Sequence, residues 1–296
     1  FKDDDISAGS LLQLADLALY RAKSTIEHEA LIVDIKMKEE LTYSSLLLKE
    51  MRQSIVDHDF VIYLQPKVNS NEKIIGAEAL VRWQHPRHGL LPPADFMSQA
   101  EESNLIVKIG DQVLMQACEQ LQRWQKNPTT KSLSMAVNLS AKQIWKSHFV
   151  EDFMATINTY DFDKSKLTVE VTETVLLQDI NDATDKMNQL KLLGISISLD
   201  DFGTGYSSLN YLHRLPIDEL KIDRSFIADF IQNKQMGLMV KSIIDLADNF
   251  GVKVVAEGVE DQEQFERLKG LNVAVYQGYL FSKPVSLEVF EQRLRQ

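Results

Sequence analysis

From Phe60 onward the apolar residues fall into short runs rich in β-branched and aromatic side chains, separated by stretches whose apolar positions recur at helical spacing. Eight runs are strand candidates: FVIYLQPKV from Phe60, IIGAEALVRW from Ile74, LSMAVNLS from Leu133, KLTVEVTE from Lys166, ISISLDDF from Ile195, ELKIDRSF from Glu219, KVVAEGV from Lys253 and AVYQGYLF from Ala274. Amphipathic segments such as NDATDKMNQLKLLG and DQEQFERLKGLN lie between most of them and stop near Gly or Asn, residues that end helices readily. Strands alternating with helices imply right-handed βα units and a parallel sheet, and eight of them imply closure as a barrel. An open doubly wound sheet is the alternative arrangement.

One connection breaks the alternation. Only NSNEK separates FVIYLQPKV from IIGAEALVRW, too short for a crossover helix, so the first two strands should form an antiparallel hairpin. The expected fold is therefore α/β, a TIM-like (β/α)8 barrel with one antiparallel strand. Ahead of it, SLLQLADLALYRAKS has helical spacing and ends in cations, EALIVD suits a short strand, and IKMKEELTYSSLLLKEMRQSIVDH suits a connecting helix. The expected division is a short α+β remnant with a linker helix over residues 1–40 and the barrel domain over residues 41–296.

Composition narrows the partners. With 44% hydrophobic and 25% charged residues in 296, the chain can bury a core of real size. A formal charge of −11 repels a polyanion, so no nucleic-acid polymer is expected, while a small anion could bind where cations neutralise the site. Cys118, the single cysteine, lies in a helix-like apolar run and reads as a buried structural thiol. No run of about 18 apolar residues occurs, and FKDDDISAGS lacks a signal-peptide pattern, so a cytoplasmic domain is expected, with room for a membrane tether elsewhere in a longer protein. The first residue is not Met, in keeping with a piece of something longer.

In a βα barrel the chemistry gathers where the parallel strands end. Those ends carry Glu78, Asn138, Glu170, Asp200, Asp201, Lys221, Asp223, Glu257 and Gln277. Any one alone is best read as a helix cap or an exposed strand end; a polar group on every strand after the first is not. Carboxylates gathered in one cup repel each other, and bound cations relieve that repulsion. Oxygen donors without Cys or His favour Mg2+ or Mn2+, and the number of acids favours two per site. The histidines, at 28, 58, 85, 88, 148 and 213, lack zinc-ligand spacing and read as surface or loop residues. Glu78, Leu80 and Arg82 share one strand face, as do Lys221 and Asp223. Adjacent Asp200 and Asp201 can face one site only if the strand ends or kinks there, for which Gly203 and Gly205 provide freedom. GTGYSS lacks the third glycine of a dinucleotide loop, and Asp201-Phe202-Gly203 lacks every other kinase signature.

Seven separated motifs, in order, closely resemble the EAL domain family of cyclic-di-GMP phosphodiesterases: Glu78-Ala79-Leu80-Val81-Arg82, Asn138-Leu139-Ser140, Glu170-Val171-Thr172-Glu173, DDFGTGYSS, Lys221-Ile222-Asp223, Ala256-Glu257-Gly258-Val259-Glu260 and Gln277-Gly278-Tyr279. The segment LLQLADLALYRAKS resembles the end of a GGDEF domain, although Ile26-Glu27-His28-Glu29 stands where that family has a Gly-Arg-Asn-type turn. The resemblance implies hydrolysis of cyclic-di-GMP to linear pGpG by a two-metal mechanism in bacterial second-messenger signalling; a receptor that binds without cleaving is the alternative. It implies metal ligation by Glu78, Asn138, Glu170, Asp200, Asp201 and Glu257, with Asp200 bridging. It gives Lys221 the positioning or activation of water, leaves open whether Glu257 is the base, and makes Glu173 and the DDFGTGYSS loop a link to the dimer interface. Gln65, Leu80, Arg82, Asp223, Glu260, Gln277 and Tyr279 would surround the dinucleotide. A homodimer and an upstream GGDEF or sensory domain are the implied partners.

Overall fold

A computed structural model describes residues 35–176, 178–203, 212 and 214–295. The expected helix SLLQLADLALYRAKS and strand EALIVD, together with Gly205, His28 and His213, lie outside the described residues. The connecting helix spans Ile35–Asp57, and the chain divides inside it into two compact units, Phe1–Gln53 and Ser54–Gln296.

All eight expected strands form. They are β1 (Phe60–Val68), β2 (Ile74–His85), β4 (Ser134–Asn138), β5 (Leu167–Thr172), β6 (Ser196–Phe202), β7 (Glu219–Ile222), β8 (Lys253–Ala256) and β9 (Val275–Tyr276), with an additional short strand β3 (Gly89–Leu91) on the edge of β2. The order β1-β9-β8-β7-β6-β5-β4-β2 closes through a β1–β2 pairing, so eight strands make a barrel and β3 stands outside it. From β2 through β9 the neighbours in the barrel are parallel, while β1 is antiparallel to both β2 and β9. The short NSNEK connection thus produces the one reversed strand.

Helix boundaries follow local chemistry. Asp179 accepts hydrogen bonds from the Asn181 and Asp182 amides to start the helix Ile180–Leu192. Asp261 and Gln264 form a reciprocal capping box at the start of Gln262–Gly270. Gly251, at φ 67°, ends Lys234–Phe250 in the left-handed conformation that favours glycine.

The apolar core lies between barrel and helices: Leu64, Val137, Val169, Ile197, Leu199, Leu220 and Ile222 point outward into it and meet helix residues such as Ala117, Leu190 and Phe265. Alternation then turns Gln65, Lys67, Glu78, Glu170, Asp200 and Lys221 to the other face, the barrel interior, all nearly inaccessible to solvent. Cys118 is buried and its thiol is pushed up to about 12 by desolvation, as a structural thiol would be. The expectation that the histidines are surface or loop groups fails at His85, which lies on β2, 2% exposed, with its ring centroid 4.5 Å from that of Trp83. The ring also lies 4.6 Å, centroid to centroid, from that of His88, so it packs between two neighbouring rings.

Candidate active site

The reversed strand decides the layout. Because β1 descends while its neighbours climb, Gln65 lies opposite Glu78, and Lys67 lies one layer deeper, opposite Gly76. Gly76 has no side chain to compete for the interior, and a Cβ there would come within 2.4 Å of the Ser134 hydroxyl. Parallel strands contribute the rest: Asn138 is paired with Glu170, and Thr172 with Asp200.

At the centre is the Lys221 ammonium, 1% exposed along the side chain. It is 2.6 Å from Glu257 Oε1, 2.7 Å from Glu170 Oε2, 2.9 Å from Asp200 Oδ2 and 3.7 Å from Glu78 Oε2. Below it, Lys67 Nζ is 2.7 Å from Glu170 Oε1 and 3.9 Å from Glu219 Oε2. Glu78 is held from both sides: its Oε1 accepts from Asn138 Nδ2 at 2.6 Å and its Oε2 from Gln277 Nε2 at 2.6 Å. Gln277 Nε2 also donates to Gln65 Oε1 at 3.0 Å, and Gln277 Oε1 is buried without a hydrogen-bond partner among the described residues.

These contacts split carboxylates of the same type. Burial pushes Glu78, Glu170 and Glu257 up, but for Glu170 two flanking ammoniums with their hydrogen bonds outweigh it and bring the group to about 2. Glu257 goes the other way, to about 8, because burial and the charges of Asp200, Glu78 and Glu170 outweigh Lys221. Glu78 is raised, by burial first and by Glu170 next. Burial disfavours the charged forms of both lysines, yet their acidic neighbours prevail and raise them.

The expected kink falls at the paired acids. A bulge interrupts the β6–β7 register between Leu199 and Phe202, with Asp201 at φ 54° and Gly203 at φ 93°. The extra residue lets Leu199 and Phe202 both face the outer core while Asp200 and Asp201 share the inner side. Asp201 therefore adopts the left-handed conformation itself, in addition to the freedom expected from glycine. Its amide donates to Asp200 Oδ1 at 2.8 Å, which fixes the turn.

A cavity of about 300 Å³ opens above the lysine and is lined by Gln65, Glu78, Leu80, Asp200, Lys221, Asp223, Glu257, Glu260, Gln277 and Tyr279. Most residues expected around a substrate are thus brought together. Arg82 stands apart from that lining, its guanidinium 5.7 Å from the Tyr63 ring centroid and donating to the Val81 carbonyl. Asp223 also caps the helix Arg224–Asp229 by accepting from the Ser225 amide. Glu173 opens the short helix Glu173–Leu176, and its Oε1 accepts from the Gly203 amide at 3.3 Å, behind the paired acids rather than beside Lys221.

Sequence reasoning missed Lys67 and Gly258. Lys67 stands at the end of a reversed strand, which points to the barrel floor rather than the mouth; its i, i+2 relation to Gln65 was the available signal. Gly258, at φ 64°, passes so close to Arg224 that a Cβ would fall 2.3 Å from that residue's Cβ.

Among the described residues no group of three or more His, Cys, Asp or Glu side chains is set to hold a metal ion. The acids are turned to the two ammoniums instead. The donor set nevertheless suits a hard cation. It is made of carboxylate and amide oxygens, and four carboxylates around two ammoniums leave surplus negative charge when all are ionised.

Comparison with known proteins identifies the family and the fold. The family model described as EAL domain matches residues 48–284. The bifunctional diguanylate cyclase/cyclic di-GMP phosphodiesterase MucR of Pseudomonas aeruginosa is 37% identical over 97% of this chain and 42% of its own length. The cyclic di-GMP phosphodiesterase PdeR of Escherichia coli is 34% identical over 96% of this chain and 42% of its own length. The chain thus spans less than half the length of these curated relatives. A solved structure of the PaMucR phosphodiesterase in complex with c-di-GMP superposes with a TM-score of 0.79 at 40% identity, covering 83% of this chain and 99% of that one.

Proposed function

The chain belongs to the EAL domain family, and from that premise we propose that it hydrolyses cyclic-di-GMP to linear pGpG with the help of divalent cations. The observation that carries the proposal is the ring of four carboxylates around Lys221 at the floor of an open cavity, with the amides of Asn138, Gln65 and Gln277 tying it together. Water adds to one phosphorus, the bond from that phosphorus to a ribose 3′-oxygen breaks, and the product keeps a 5′-phosphate and gains a 3′-hydroxyl.

Glu78, Asn138, Glu170, Asp200, Asp201 and Glu257 are the residues assigned to hold two Mg2+ or Mn2+ ions. Bound there, such ions supply charge neutralisation and a more acidic water. Lys221 and Glu257, 2.6 Å apart, would orient the attacking water. Leu80, Asp223, Glu260 and Tyr279 on the cavity wall, with Gln65 and Gln277, would border the dinucleotide, and the unpartnered Gln277 Oε1 would accept from a base N–H. Arg82, beyond that wall, is suited to a phosphate. Glu173, bonded to the Gly203 amide, would couple the metal region to a homodimer contact.

Residues 1–40 are assigned to the end of a GGDEF-like domain and its linker, on the resemblance of LLQLADLALYRAKS, with 41–296 as the catalytic domain. No helix among the described residues is long and apolar enough to cross a membrane; a cytoplasmic site of action is part of the proposal.

The test is chromatography of cyclic-di-GMP incubated with purified protein and Mg2+ or Mn2+. Appearance of pGpG, abolished by EDTA, is expected. Binding of the dinucleotide with no pGpG at any concentration of either ion would make the protein a receptor instead.

A further inference from the structure

Glu170 has an ammonium on each oxygen, and the two ammoniums come from different levels of the barrel. Lys221 meets Oε2 and lines the open cavity. Lys67 meets Oε1 from the deeper layer set by its pairing with Gly76. Packing alone does not call for this: a fully desolvated ammonium costs several kcal/mol unless it is paired, and an apolar side chain of similar length would fill the same interior space. What the charge adds is direction. With Oε1 held by Lys67, Oε2 is the oxygen on the side of Lys221, which lines the cavity.

We infer that Lys67 is a positioning residue, which holds Glu170 from beneath so that one carboxylate oxygen is presented to a divalent cation in the barrel mouth. The inference rests on the metal-assisted hydrolysis proposed above, but concerns a residue outside the set assigned there to metal, water or substrate. Glu219, with its Oε2 3.9 Å from Lys67 Nζ, is a more distant counter-charge in contact with solvent along 18% of its side chain. Outer partners that aim a ligand in this way typically change metal affinity or activity by about 10- to 100-fold when removed.

The experiment compares wild type, Lys67→Met and the double variant Lys67→Met/Glu219→Gln. Mn2+ binding is measured directly by calorimetry or electron paramagnetic resonance without substrate, and folding is checked by circular dichroism. Lys67→Met should bind Mn2+ about tenfold more weakly or worse, while KM for cyclic-di-GMP at saturating Mn2+ changes by less than about threefold. The double variant conserves the formal charge of the interior, so an equal loss in it identifies lost orientation rather than altered electrostatics. Unchanged or tighter Mn2+ binding in folded Lys67→Met would overturn the inference, as would failure of both variants to fold, which would make the lysine a structural group. A wild type that binds Mn2+ but releases no pGpG would sink the hydrolase proposal and still leave Lys67 to be judged by its Mn2+ affinity; a wild type that binds no Mn2+ would sink both.

Discussion

Lys221 Nζ and Glu257 Oε1 lie 2.6 Å apart at the cavity floor, and the same ammonium also serves Glu170 and Asp200. One cation thus holds three acids in contact, and a fourth, Glu78, at 3.7 Å.

Lys221→Met should therefore be costly twice over. Removing one member of a buried charge cluster typically destabilises by about 3–5 kcal/mol, and loss of a water-orienting group should lower turnover by roughly a hundredfold or more. Urea denaturation in EDTA and then in Mn2+ separates the effects: the ion should restore much of the stability and none of the turnover. Equal stability of variant and wild type in EDTA would contradict the central role of the lysine.

The opposite shifts of Glu170 and Glu257 predict a stability maximum. Glu170, brought from 4.5 to about 2, contributes roughly 3 kcal/mol that is fully present above pH 4.5 and lost as pH falls through 2. Glu257, raised from 4.5 to about 8, binds more protons folded than unfolded, so its contribution makes stability decline as pH rises from 4.5 to 8. In EDTA, denaturation midpoints should peak near pH 4.5. Glu170→Gln should flatten the acid limb and Glu257→Gln the alkaline limb; limbs indifferent to these substitutions would refute the assignment.

Asp200→Asn keeps an oxygen that can accept from the Asp201 amide, so the bulge should survive. The lost charge should lower turnover by roughly a hundredfold or more. Near-ultraviolet circular dichroism should match wild type while pGpG production falls; retained production would remove Asp200 from the metal site.

Cys118, 0% exposed and pushed up to about 12, should not react with Ellman's reagent in native protein at pH 8, and should react fully in urea. Rapid native reaction would place the thiol in an accessible position.

Much of the fold and part of the site are legible along the chain, because hydrophobic periodicity and connection length are local properties. Eight apolar runs set the strands, and five residues of NSNEK set the one reversed strand, since no crossover helix fits between Val68 and Ile74. The strand-end rule then located Asn138, Glu170, Asp200, Lys221 and Glu257, for it depends only on where each parallel strand stops, whereas Glu78, expected at a strand end, lies in the middle of the longer β2. Family resemblance supplied Gln65, which no such rule marks.

Tertiary structure alone decided what depends on distance between segments. Lys67 and Glu170 are 103 residues apart in the chain, and their 2.7 Å contact exists only because barrel closure brings a descending strand across from ascending ones. The divergence of Glu170 from Glu257 has the same origin: the two side chains are chemically alike, and only the count of ammoniums and carboxylates around each separates them. The inward turn of both Asp200 and Asp201 likewise required the β6 bulge, a feature set by strand pairing rather than by local pattern. The sequence by itself determined which residues could form each element and which acids stood at the strand ends; the folded barrel decided their neighbours, because electrostatic environment is a property of three-dimensional proximity.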